Sequence, residues 1–387
     1  MMCRLKKYWL LLAAIVLAAC DGIDRSFEGT YDQVLIYYGM GYNNLSANLK
    51  QNLTDLQRDV LPGLRHDKAI LAFIHTPASA GDYTTPNPPV LMRIYRGQDG
   101  KPVCDTLKTY PDIKISASGE TLRRVMNEIR ELYPARRYGM VVSSHGSGWL
   151  PANYDKNTYP RSIGEQQQSS KYLWIDLPEF AASIPYHLNF LILDVCLSGC
   201  VEVAWELRDV TDQLIVSPAE IMRDGMGYSI LSWDVFAYGE PDMVTYCQQY
   251  YDYYMEHGGG TIALVDCHRL EPLAEAFRDI IDAHRDALNY NTLYYTVQRY
   301  YYSSTPLIFF YDLRDLAAQI GATESELARL DAALADAVPC HRETPTFIGL
   351  KLERCCGLSV YLPDPSRPTL NAYYKSLSWN KVVGLVD

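Results

Sequence analysis

The sequence predicts an α/β fold whose mainly parallel central sheet is covered by helices on both faces, followed by a C-terminal α+β extension. Two observations carry this. Over some 190 residues, short apolar runs that read as buried strands alternate with amphipathic helical stretches, the signature of right-handed βαβ crossovers. Beyond about residue 240 the alternation gives way to long helical stretches and a final strand-like run.

Taken in order, residues 34–38 read as a buried strand entering a Gly/Asn turn, and "LSANLKQNLTDLQRDVLPGL" has apolar residues at helical spacing. "KAILAFIHTP" and "VLMRIYRG" read as strands, and residues 119–134 as an amphipathic helix bounded by Gly119 and Pro134. The strand "YGMVVSSHG" follows, then a polar insert, "NYDKNTYPRSIGEQQQSSKY". Helix "IDLPEFAASIP", strand "FLILDVC", helix "CVEVAWELRD" and strand "QLIVSPAE" complete the alternation. In the last third, residues 245–260, 271–288 and 323–338 look helical and 347–363 strand-like. Tyrosine is abundant there, which reads as aromatic packing against the sheet or as a glycan or peptide platform.

The first nineteen residues stand apart. Arg4, Lys6 and Lys7 precede the apolar run "YWLLLAAIVLA", and "LAAC" closes it at Cys20. The run is too short to span a bilayer comfortably, where about 20 apolar residues are needed. The pattern resembles a bacterial lipobox, which implies a signal peptide over 1–19, a diacylglyceryl anchor on Cys20, and a tether over 20–30. An uncleaved anchor or a simple secretory signal is the alternative. The expected location is therefore the bacterial cell envelope, extracytoplasmic and membrane-anchored.

Removing those residues takes three positive charges from a chain of formal charge −11 and leaves −14. So acidic a surface argues against a nucleic-acid partner, and no basic run suggests anionic lipid recognition. Cys196-x-x-x-Cys200, Cys267-His268 and Cys355-Cys356 lack the paired spacing of a structural zinc site. No D-x-D-x-D-G loop suggests calcium, so no cofactor is expected.

Two strands end alike. One runs into His145-Gly146-Ser147-Gly148, the other into Asp194-Val195-Cys196, and ligands in open α/β sheets bind beyond such carboxyl ends. Alone, Cys196 reads as a buried thiol and His145 as a turn residue. They stand 51 positions apart in sequence but one crossover apart in a parallel sheet, so together they suit a nucleophile and its acid–base partner. Cys196 stands between its strand and the expected helix "VEVAWELRD", whose N-terminus would favour the thiolate. No G-x-S-x-G elbow supports a serine hydrolase.

"VLIYYGMGYNNLS", "VVSSHGSGW", "LILDVCLSGCVEVAWEL" and "IVSPAE", in this order, resemble the clostripain family of cysteine peptidases, relatives of caspases, gingipains and legumain. "CCGLSVYLPDP" and "LNAYYKSLSW" extend the likeness to its bacterial lipoprotein members. The resemblance implies a caspase–hemoglobinase-like α/β/α sandwich over residues 31–270, with 271–387 as a helical and strand subdomain packed on it. It also implies His145 as acid–base, Cys196 as nucleophile, and the Gly146 and Cys196 N–H groups as oxyanion donors. Asp194 and Asp224 become candidate carboxylates for Arg or Lys at P1, although neighbouring Arg223 opposes a basic side chain. Lys156 and Arg161, in the polar insert, are either autoprocessing points or part of an ordinary loop. The expected activity is an envelope-anchored, monomeric cysteine endopeptidase acting on proteins or peptides; the alternative is a binding lipoprotein without turnover.

Overall fold

The computed structural model describes residues 29–59, 67–97, 99, 101–152, 154, 162–231, 241–303 and 308–387. Among its strands are β1 (Tyr31–Met40), β2 (Lys68–His75), β3 (Val90–Arg96), β4 (Pro102–Thr109), β5 (Ala135–Ser143), β6 (Gly146–Ser147), β7 (Ser162–Gln168), β8 (Lys171–Ile175), β9 (Leu188–Asp194), β10 (Thr211–Val216), β11 (Thr261–Asp266) and β12 (Cys340–Glu343), with shorter strands between residues 299 and 360. Nine of them form one sheet in the order β12-β11-β10-β9-β5-β1-β2-β3-β4. The parallel arrangement expected from the sequence holds for the five central strands. The edges differ: β3 and β4 on one side, and β11 and β12 on the other, join by antiparallel pairing. The sheet is therefore mixed.

Alternation along β1 shows how both faces are covered. Val34, Ile36, Tyr38 and Met40 point into one apolar core, Leu35 and Tyr37 into the other. The first core takes α2 (Gly119–Leu132), α3 (Leu177–Ser183), α4 (Val201–Leu207), α6 (Leu270–His284) and α7 (Glu324–Ala337). The second takes α1 (Ser46–Asp59) and α5 (Met243–Glu256).

Helix α2 follows from its sequence. Leu122, Val125, Met126 and Ile129 recur at one-face spacing, all are buried, and the Ser118 side chain accepts from the Thr121 N–H at 3.2 Å to cap the first turn. In α5, Tyr246, Tyr250 and Tyr254 line the second core, which is aromatic packing of the kind expected for the tyrosine-rich third. Two of these tyrosines also act on a loop, because Tyr246 donates to the Met226 carbonyl and Tyr254 to that of Gly225, the latter at 2.6 Å.

The first core runs from Tyr31 to Leu385, and β12 is the outermost strand of the central sheet. The second half of the polar insert, read as irregular, is ordered: β7 and β8 pair as a hairpin, and β7 also pairs with β6. Among the described residues no helix is long and apolar enough to cross a membrane. Cys20 and its tether up to residue 28 lie outside the described residues, as do Lys156 and Arg161.

Candidate active site

Strand register places the two singled-out residues. Ser143 and Asp194, the last residues of the neighbouring parallel strands β5 and β9, are direct partners. His145 and Cys196 each stand two positions further on, beyond the same edge of the sheet, and both line one cavity of about 310 Å³. Asn44, Asp194, Glu220 and Tyr302 line it with them.

The ends of three strands are tied together beneath this cavity. Ser144 Oγ donates to the Met40 carbonyl at 2.8 Å and accepts from the Glu165 N–H at 3.0 Å. The Asn43 amide donates to the carbonyls of Met40, at 3.0 Å, and Glu165, at 2.8 Å. Next to it, Asn44 Oδ1 accepts from His145 Nε2 at 2.6 Å. That bond holds the proton on Nε2 and leaves Nδ1 with the lone pair, so Nδ1 is the basic atom. Burial and the nearby Arg223 charge push the His145 imidazolium down to about 4, so the ring is neutral above that pH.

The peptide after His145 is held too: the His145 carbonyl accepts from the Gly164 N–H at 3.0 Å. Residue 146 must be glycine. A Cβ there would lie 2.3 Å from Val195 Cγ1 and 2.5 Å from the Ser162 carbonyl oxygen.

The helix expected beyond Cys196 starts at Val201, where the sequence places it, and ends at Leu207, so it is only seven residues long and its first residue lies five positions beyond the sulfur. The intervening loop is pinned by Leu197 N–H to the Ala219 carbonyl (2.9 Å) and Gly199 N–H to that of Ser217 (2.8 Å). Leu197 takes φ 57°, a left-handed conformation that costs an ordinary side chain of order 1–2 kcal/mol and is paid where geometry matters. The Ile221 N–H donates to Cys196 Sγ at 3.3 Å. Burial nevertheless pushes the thiol up to about 12, with the Glu220 charge adding to the rise. Among the described residues the Cys196 N–H has no acceptor, which leaves it free for an oxyanion. All eight described cysteines, including Cys196 and Cys200, are free thiols.

The two candidate carboxylates are separated. Asp194 is 7% exposed and lines the cavity, with Ser143 Oγ (2.7 Å) and the Tyr228 hydroxyl (2.6 Å) both donating to Oδ2. Among the described residues Oδ1 takes no hydrogen bond, so it is available to a guest. Burial holds the carboxyl above the usual range. Asp224 instead lines an adjoining cavity with Asp55 and Tyr253, and it is Arg223 that faces His145 and Cys196. The structure therefore brings His145, Gly146, Cys196 and Asp194 together and leaves Asp224 outside.

Asn44 and Tyr302 are the site residues that sequence reasoning missed. For Asn44 a signal existed: "GYNN" ends the strand next to that of His145. Tyr302 comes from a distant segment and carries no local signal.

Comparison with known proteins bears on this arrangement. A model of the clostripain family matches residues 91–381. The fold is similar to that of an inactive zymogen C11 protease from Parabacteroides distasonis, with a TM-score of 0.77 and 26% identity over 92% of this chain and 99% of that one. A secreted C11 cysteine protease from Bacteroides thetaiotaomicron, iotapain, is similar at TM-score 0.76 and 27% identity over 92% and 100% of the two chains. At 22% identity and TM-score 0.76, a secreted C11 cysteine protease of the same species, solved with an irreversible peptide inhibitor, shares the fold over 91% and 98%. No curated protein matches the chain.

Proposed function

The chain belongs to the clostripain family of cysteine peptidases, and from that premise we propose that it is an endopeptidase working through Cys196 and His145, cleaving after Arg or Lys, and held at the bacterial cell envelope through Cys20. One observation carries the reading: His145, Cys196 and Asp194 line a single cavity at adjacent strand ends. In the resting site thiol and imidazole are both uncharged, so the thiol proton passes to His145 Nδ1 as Sγ attacks the substrate carbonyl. The oxyanion forms against the Gly146 and Cys196 N–H groups. His145 then protonates the leaving nitrogen, the C–N bond breaks, and water, deprotonated by the same nitrogen, hydrolyses the thioester.

For P1, Leu45, Leu49 and Met222 offer apolar walls to an aliphatic stem, and Asp194 Oδ1 offers a charge to its head. Arg223 lines the same cavity and works against this, so its exposed side chain must turn to solvent when a cation enters. That the peptide-inhibited relative shares the fold supports peptides or proteins as substrates.

The test is a set of fluorogenic peptides with Arg, Lys, Asp, Asn or Leu at P1, under reducing conditions. Hydrolysis after Arg and Lys is expected. Hydrolysis confined to the others would remove Asp194 from its role, and no hydrolysis together with an unreactive Cys196 would favour a binding protein. For the anchor, a Cys20→Ser chain is expected in the soluble fraction; its retention in membranes would sink the lipid proposal.

Asn44 supplies a further check. Its Oδ1 accepts from His145 Nε2, so Asn44→Ala is expected to lower kcat by about 10–100-fold with KM nearly unchanged, the cost of a wandering acid–base group. An unchanged kcat in steady-state kinetics would mean that other contacts orient the ring.

A further inference from the structure

Tyr302 stands where the site lacks something. The sulfur is half-buried, stands five positions before a helix of only seven residues and shares its cavity with an uncharged imidazole, yet a thiolate must form on it. The phenol is 6% exposed on the cavity wall. Its hydroxyl donates to the Gly146 carbonyl and lies within hydrogen-bonding reach of Cys196 Sγ. The following N–H, of Ser303, donates to Glu220 Oε1 at 2.5 Å, so residues 302 and 303 are fastened to both walls of the cavity.

A phenol has one proton to give. While it is given to the Gly146 carbonyl, the oxygen meets the sulfur with a lone pair, which suits a neutral thiol. Once Sγ loses its proton the preference reverses, because an anionic acceptor binds a donor about twice as strongly as a neutral one. Rotation about the phenolic C–O bond is enough to move the hydrogen from one acceptor to the other.

We propose that Tyr302 is a third catalytic side chain, whose hydroxyl turns from the Gly146 carbonyl to Cys196 Sγ as the thiolate forms and joins the Ile221 N–H in stabilising it. The thiol proton goes to His145 Nδ1, the phenol keeps its own, and no heavy-atom bond changes. The proposal rests on Cys196 being the nucleophile.

The test measures alkylation of Cys196 by iodoacetamide as a function of pH, followed on its peptide by mass spectrometry, in the full chain and its Tyr302→Phe variant. Phenylalanine keeps the ring and removes the donor. The variant is expected to react at least about tenfold more slowly at neutral pH, with its midpoint moved upward by about one unit or more. A merely structural role would lower the melting temperature without moving that midpoint. Superimposed profiles, or faster reaction in the variant, would overturn the proposal. Should Cys196 of the unaltered chain resist both iodoacetamide and a peptidyl electrophile, the nucleophile assignment fails instead. If Tyr302→Phe does not fold, 3-fluorotyrosine at position 302, a more acidic and stronger donor, is expected to move the midpoint downward; an unmoved or raised midpoint would count against Tyr302.

Discussion

Cys196→Ala is expected to abolish hydrolysis after Arg and Lys, lowering kcat by on the order of 10⁵–10⁶-fold, while the melting temperature changes by no more than a few degrees. The two effects separate because the sulfur does little for the fold. Among protein groups the Ile221 N–H is its close donor, at 3.3 Å, and the side chain borders a cavity rather than filling a core. Its chemical part has no substitute: the other described thiols stand elsewhere, and Cys200 is buried behind the loop. A peptidyl electrophile that labels the unaltered protein is expected to leave the alanine variant unmodified. Residual turnover above about one per cent, verified on enzyme free of wild-type contamination, would show that another group attacks.

The same reasoning makes His145 and Cys196 non-additive. His145→Ala is expected to cost nearly as much as Cys196→Ala, and the double variant no more than either, since each residue acts only through the other. With the imidazole held near 4, an acid limb of kcat/KM caused by His145 falls about there for an uncharged P1 side chain, well below the value of about 6.5 for a free histidine. The sign follows from the role: Nδ1 must be unprotonated to take the thiol proton, so activity is present above the depressed value and lost as pH falls through it.

What the sequence made legible here was the place where apolar strands stop. His145 and Cys196 follow buried runs that propensity alone identifies, and two parallel strands in register bring such ends together without further information. The polar pairings were hidden. β4 is an edge strand with most of its residues exposed, so "PVCDTLKT" shows no apolar run. In β7 the buried residues include Glu165 and Gln166, whose burial depends on partners such as the Ser116 N–H, 2.7 Å from Gln166 Oε1, that no hydrophobic pattern reveals. The helix from Val201 was legible, but the turn before it was not: Leu197, at φ 57°, breaks the chain direction with a residue that gives no warning of it. Tyr302 meets Gly146 across 156 positions, a contact that only the folded chain creates.

Asp194→Asn is the variant in which activity and stability are expected to part. For substrates with Arg or Lys at P1, kcat/KM should fall by about 10²–10³-fold, the loss that follows when a desolvated cation is deprived of its counter-charge. A Leu substrate should change by less than about threefold. Asparagine can set its own Oδ1 where Asp194 Oδ2 sits, accepting from both Ser143 and Tyr228, and that orientation turns the amide N–H groups toward the cavity, where they repel a cation. Stability moves the other way. Burial raises this carboxyl above its ordinary value, so the folded chain holds the proton more tightly than the unfolded chain, and the resulting stabilisation is present at low pH and lost as pH rises through the raised value. Above that raised value the ionised carboxylate therefore destabilises the fold, and its neutral replacement should melt there at the same temperature or higher. Thermal melting beside the P1 series decides between two roles. Lost Arg cleavage with kept or increased stability identifies Asp194 as the specificity residue. Lost stability with Arg cleavage intact would make it a support for the loop around Cys196 and leave the basic P1 preference to another group.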